Sequence, residues 1–178
     1  MKHRLACGIA LLAIGCSGSG ASVADGTSGA PGAPGGSGSD AMFAAPSGTA
    51  TPDSIYGLWG GTIEDGSITF DTRMRLSKGS ATIAARCTTA EGKHSSTVGV
   101  TAAARISDEE LAVLESKTDA KDNGVVKCSV SLTPKDVKRC TSDMPKGFER
   151  DCFKLEGMTL FEFGKTPLEK IELTKLSD

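Results

Sequence analysis

The chain has little charge of one sign. Basic and acidic residues number 20 and 22, and no block of either occurs. A nucleic-acid surface needs a basic stripe that displaces counterions, so that partner class is excluded. Lys135, Lys138, Arg139, Lys146, Arg150 and Lys154 come nearest, but Asp136, Asp143, Glu149 and Asp151 are interleaved with them, and the stretch reads as a solvated polar loop. Histidine is nearly absent: only His3 and His94 occur, and His94 sits in a turn beside Gly92 and Lys93. Ser95 and Ser96 are adjacent and so point to opposite faces of a strand, which leaves no nucleophile–base–orienter set. The chain has no Cys-x-x-Cys pair, which disfavours a four-thiolate zinc site. Asp119 to Gly124 superficially follows a calcium loop, but Lys121 and Val130 stand where ligands are required, so it reads as a polar hairpin. Glu109 with Glu110, or Glu162 with Glu172, could be nominated as a glycosidase pair, but nothing separates their acidities. No enzyme, metal or cofactor is expected.

What is present begins with an address. Lys2 and Arg4 precede an apolar run from Leu5 to Ile14, closed by Gly15-Cys16. A run so short, with a basic flank, is an export signal rather than a membrane span, and no second long apolar run follows. Leu12-Ala13-Ile14-Gly15-Cys16 resembles the lipobox of bacterial lipoproteins, although Ala13 stands where leucine is usual and Ile14 is bulky for its place. The resemblance implies a signal peptide over 1–15, cleavage before Cys16, a lipid on Cys16 and firm attachment to a membrane. Ser17 in place of aspartate points to the outer membrane. The alternative is an ordinary leader cut after Ser22-Val23-Ala24.

Residues 16–52 are almost wholly Gly, Ala, Ser, Thr and Pro, a composition that cannot bury enough apolar surface to order itself. The expectation is a disordered tether with a reach of roughly 30–36 Å. Ala41-Met42-Phe43-Ala44-Ala45 interrupts it and reads as solvated linker, with a docking peptide as the alternative. Residues 53–178 have the length of one domain.

Once Cys7 leaves with the signal and Cys16 takes the lipid, Cys87, Cys128, Cys140 and Cys152 remain. An even set in a small exported domain predicts two disulfides with three possible connectivities. Cys140 and Cys152 flank a polar loop with Pro145 and Gly147, which favours a local staple and leaves Cys87–Cys128 across a longer loop. Each bridge contributes about 3–4 kcal/mol in the loop-entropy model.

Apolar residues alternate with polar ones from end to end of this domain. Ile68, Phe70, Met74 and Leu76 share a face; Ala81, Ile83, Ala85 and Cys87 share another, as do Val98 to Ile106 and Val126 to Leu132 at every second position. Turn signals separate them: Asp65-Gly66, Lys78-Gly79, Glu91-Gly92-Lys93, Asn123-Gly124 and Glu156-Gly157. Ser107 to Leu111 begins like a helix, but the apolar stretch after it is too short, so a turn into a strand is expected. The predicted fold class is all-β: an antiparallel meander closed into a small barrel or flattened into a sandwich.

Tyr56-Gly57-Leu58-Trp59 ahead of this meander resembles the Gly-x-Trp opening of lipocalins and related calycin barrels. The resemblance implies that Gly57 and Trp59 close one end of a barrel and that Lys175, on the last strand, caps the indole by a cation–π contact. It also implies a cup for a small apolar ligand, for which Phe70, Met74, Ala85, Val100, Ala102, Val126 and Phe161 are the candidate lining. Aromatics make up only 4% of the chain and the inner faces are rich in alanine, so either a void remains or the walls approach closely. A Cys87–Cys128 bridge, limited to about 4.4–6.8 Å between Cα atoms, favours close approach. The functional expectation is a monomeric, non-enzymatic envelope lipoprotein that binds a small apolar ligand or a partner protein. The alternative is a structural or interaction module with a filled core.

Overall fold

The computed structural model describes residues 38–142, 151–164 and 170–178. The leader, Cys16, Ser17, the alternative cleavage site after Ala24, the tether through residue 37, and Lys146 and Arg150 of the basic stretch lie outside them.

A four-residue helix, α1 (Gly38–Ala41), precedes eleven strands: β1 (Gly57–Asp65), β2 (Ile68–Ser77), β3 (Ser80–Thr89), β4 (Ser95–Ser107), β5 (Glu110–Val113), β6 (Lys117–Asp122), β7 (Lys127–Leu132), β8 (Lys135–Arg139), β9 (Cys152–Glu156), β10 (Thr159–Phe163) and β11 (Lys170–Ser177). Nine of them close a barrel in the order β1-β11-β10-β9-β8-β5-β4-β3-β2, while β6 and β7 form a separate hairpin. The domain is therefore all-β and a barrel. It is not a plain antiparallel meander, because β8 and β9 pair in parallel and the β6–β7 hairpin leaves the ring. The basic stretch expected as a loop contributes β8, whose Val137 is fully buried in the core.

All five turn signals fall between paired strands. Alternation puts Phe70, Met74, Leu76, Ala81, Ile83, Ala85, Cys87, Val98, Ala102, Ala104 and Ile106 into one core. Strand lengths are unequal: β2, β3 and β4 run for 10, 10 and 13 residues, whereas β5, β8, β9 and β10 run for only 4 or 5. β5 pairs with Ala104 to Ser107 only, so the long wall continues beyond the ring.

The β6–β7 hairpin covers the inner face of that extension. Val126, Cys128, Val130 and Leu132 are buried in the same core as Phe70, Ala85 and Val98, and Cys128 is bonded to Cys87 with Cα atoms 5.6 Å apart. The unpaired edge of β4 is met by carboxylates, with Gly99 N–H donating to Asp119 Oδ2 at 3.3 Å and Ala103 N–H to Glu115 Oε1 at 3.4 Å. Such charged cover keeps an open strand edge from recruiting another chain. Barrel and sandwich thus coexist, a ring at one end and two packed layers at the other. The second disulfide joins Cys140 to Cys152, the latter opening β9.

The expected tether ends earlier than residue 52. Met42 is buried and packs with Leu58 and Ala84, with Phe43 and Leu176 beside them, on the outer wall. The Met42-Phe43 pair is the apolar content that the surrounding Gly/Ser/Ala composition concealed, so this stretch docks rather than remaining linker.

Candidate functional site

Among the described residues, three places combine built geometry with polar or aromatic groups: the tryptophan end of the barrel, an ion cluster at β8, and a groove on the outer wall.

At the tryptophan end, Gly57 has φ +132, and a Cβ there would sit 2.4 Å from the Ser177 carbonyl oxygen. Only glycine allows β1 and β11 to approach this closely. The β1–β11 register slips between Leu58 and Trp59, so that Leu58 faces Ser177 and Trp59 faces Lys175, leaving Leu176 as an extra residue. Such a bulge bends the strand and re-aims its side chains. Leu173, Lys175 and Ser177 are buried on the inner face of β11 by plain alternation, and Leu176 is turned to the outer wall.

Trp59 is fully buried and its Nε1–H donates to the Ile55 carbonyl at 3.0 Å. Lys175 Nζ lies 5.7 Å from the indole centroid and donates to the carbonyls of Thr51 at 2.8 Å and Ser54 at 3.2 Å. It also pairs with Asp178 Oδ1 at 2.7 Å. The lysine's hydrogen bond, followed by those of the Thr51 hydroxyl and amide, holds the Asp178 carboxyl down at about 2. This set closes an end and presents no group free to act on a substrate. It is a clasp.

At β8, Lys135 Nζ lies 3.0 Å from Asp151 Oδ1 and 3.7 Å from Glu162 Oε1. Glu162 is buried on the inner face of β10, whereas Glu172 is exposed on β11, so these two carboxylates do not converge. On the adjoining strand β5, Glu110 accepts from Arg105 and from Lys138 of β8, and these bonds, the arginine's first, lower its carboxyl to about 2. Glu110 is held ionised and cannot serve as an acid in a pair with Glu109. His94 lies in the exposed turn between β3 and β4. Ser95 is exposed, and Ser96 is buried and donates to the Val126 carbonyl at 3.3 Å. In the 119–124 hairpin the side chains of Asp122 and Asn123 accept the turn's own amides. Among the described residues no three His, Cys, Asp or Glu side chains group as a metal site.

The seven residues expected to line a cup do not all share one face. Phe70, Met74, Ala85, Ala102 and Val126 are buried in the continuous core, and Val100 packs against it. Phe161 faces outward, because Leu160 and Glu162 take the inward positions of β10; it stacks on Phe163 at 6.2 Å between ring centroids. Alternation along β10 was legible, but its phase depends on the Leu160–Leu173 pairing. A recess bordered by Met74, Leu76, Ala81, Ala104, Ile106 and Leu111 has a volume of about 10 Å³. That is room for about one water molecule.

The outer-wall groove is the feature that sequence reasoning passed over. Leu58, Ala84 and Leu176, from β1, β3 and β11, receive Met42. Phe43 lies under two guanidinium groups, with Arg86 Cζ 4.5 Å and Arg73 Cζ 5.3 Å from its ring centroid. Ser39 is buried against Gly99, where a Cβ would come within 2.7 Å of its own Cβ. The available signal was Ala84, a small apolar residue at an outward position in phase with Arg86.

No family model matches this chain, and neither a curated protein nor a solved structure matches it.

Proposed function

We propose that the protein is an exported, lipid-anchored envelope module whose lipocalin-like barrel works by surface contact with a partner protein, without catalysis. The continuous apolar core carries this reading, with the small recess at its border. A recess of about 10 Å³ admits no lipid tail, whereas pockets for small molecules run to about 300–1,000 Å³. The Cys87–Cys128 bridge supports it further, because it pins a hairpin over the space a carrier would keep open. The address rests on Lys2, Arg4, the run to Ile14 and Gly15-Cys16.

Native mass spectrometry of protein purified from its own envelope, with thermal shifts across a lipid panel, tests the surface reading. A ligand-free mass and no shift are expected. A co-purifying lipid-sized mass would overturn it in favour of a small apolar ligand entering at the Met74–Ile106 recess. The address is tested separately by fatty-acid labelling: incorporation is expected in the wild type and not in Cys16→Ala, and equal labelling of both would remove the anchor.

A further inference from the structure

We propose that the groove beneath Ser39 to Phe43 is a peptide-docking site, filled by the chain's own strap until a partner peptide of the same kind displaces it. That kind is a small residue, two spacers, then an apolar–aromatic pair, as in Ser39, Met42 and Phe43. The inference rests on the surface-module reading and names its site.

The barrel builds the groove without help from the strap. Leu58, Ala84 and Leu176 belong to three barrel strands, Arg73 and Arg86 wall the aromatic position, and Gly99 on β4 leaves the slot for the small residue. Without an occupant, Leu58 and Ala84 would be an apolar patch on an outer wall between guanidinium groups. The strap can leave without breaking a sheet ladder, since the amides of Met42, Phe43 and Ala44 bond within it to the carbonyls of Ser39, Asp40 and Ala41. Firm attachment begins later. Thr51 bonds Asp178, Lys175 bonds the Thr51 and Ser54 carbonyls, and Asp53 exchanges bonds with Gly157. Between Ala44 and Ala50 lies Ala-Ala-Pro-Ser-Gly-Thr-Ala, a stretch short of side chains to pack, in which the strap can swing while the barrel stays closed.

A cis occupant lowers the apparent affinity for any competitor by the fraction of time it is docked. The probe is a fluorescent synthetic peptide spanning residues 38–44, added to the purified full chain and followed by anisotropy. Met42→Ala/Phe43→Ala weakens the strap but leaves the groove intact, so it should bind the peptide at least about tenfold more tightly than the wild type. Adding Gly99→Ala closes the slot and should return binding to the wild-type level. Failure of the double variant to bind saturably, or binding indifferent to Gly99→Ala, overturns the proposal. Hydrogen exchange on the unmodified chain reads the same point without a variant: the Met42, Phe43 and Ala44 amides should exchange while β3 amides stay protected. Exchange of the strap only together with β3 would equally overturn it. A co-purifying lipid would sink the surface-module reading while leaving the peptide result unchanged, so the two failures are distinguishable.

Discussion

The two ends of this barrel are closed by different means. At one end a single indole fills the ring, and a buried lysine ties it to Thr51, Ser54 and Asp178. At the other, the long strands outrun the short ones, and a separate hairpin stapled by Cys87–Cys128 covers the exposed inner face. The chain has one tryptophan, so only one end can be filled by an indole; at the other, Phe70 lies opposite Cys87 beneath the hairpin. Ala81, Ala102 and Ala104 thin the lining near the indole, and at the other end Phe70, Ala85 and Val98 leave an inner face over which the hairpin supplies the bulk. A covalent staple suits a plug made of backbone, because a two-stranded hairpin has too little core to hold itself in place.

The comparison predicts that the hairpin end depends on its bridge more than the tryptophan end depends on any one contact. Cys87→Ala/Cys128→Ala releases a constraint between residues 41 apart in sequence, worth about 4 kcal/mol in the loop-entropy model. Urea unfolding should show a lower midpoint with the signal of Trp59, at the far end, intact below the transition. Early loss of the tryptophan signal would mean that the two ends are one cooperative unit. At the tryptophan end, Lys175→Met strips the Thr51 and Ser54 carbonyls of their donor and Asp178 of its partner. It should cost about 3 kcal/mol, read as a fall in Tm with quenched or shifted tryptophan emission. A cost below that of an ordinary surface change would remove Lys175 from the clasp.

These two ends were unequally legible in the sequence. Gly57-Leu58-Trp59 and Lys175 announce the first, since a tryptophan in an aromatic-poor chain has few places to be buried. What composition does not reveal is the bulge that sets Trp59 opposite Lys175 while Leu58 stands opposite Ser177, because it arises from the β1–β11 register and not from either strand alone. At the second end, Cys87, Cys128 and the alternation from Val126 to Leu132 were readable, and so was the close approach that the bridge demands. The departure of β6 and β7 from the ring was not, because strand order is a long-range property, and β7 carries the same period-two pattern as the strands within the barrel. Phe161 failed by phase for the same reason. The outer-wall groove was hidden differently: its halves, Met42-Phe43 and Ala84, lie about forty residues apart and look unremarkable singly.

Between the two ends, Thr72 sharpens the comparison in the opposite direction. It faces the interior beside Gly61 and Ala85, its exposure is 1%, and its Oγ1 has no hydrogen-bond partner. A buried hydroxyl without a partner costs stability that an isosteric methyl does not. Thr72→Val should therefore stabilise the domain by about 1 kcal/mol, measured as a raised denaturant midpoint at unchanged slope. A loss of stability would mean that the mid-barrel hydroxyl is satisfied by water, and that the interior is less filled than the two ends imply.

The smallest expected effect concerns acid. Asp178 belongs to the tryptophan end, and its carboxyl falls from an ordinary value near 3.8 to about 2 through the hydrogen bond from Lys175 and those from Thr51. A carboxylate depressed on folding stabilises the folded state above its unfolded pKa and loses that contribution as pH falls through the folded one. Its share should thus be complete at neutral pH and drain away between about pH 4 and pH 2. Asp178 is half-exposed, so solvent screens the pair and the effect is small. Glu110, on the wall between the ends, titrates over the same window and obscures it in the wild type alone. The informative quantity is the gap in unfolding midpoint between the wild type and Asp178→Asn, which cancels Glu110. That gap should be widest at neutral pH and close as the solution is acidified through this window. No gap at any pH would show that Asp178 contributes only what an asparagine keeps, the bond accepted from the Thr51 amide, and that the charge on Lys175 is held by the two carbonyls and the indole instead.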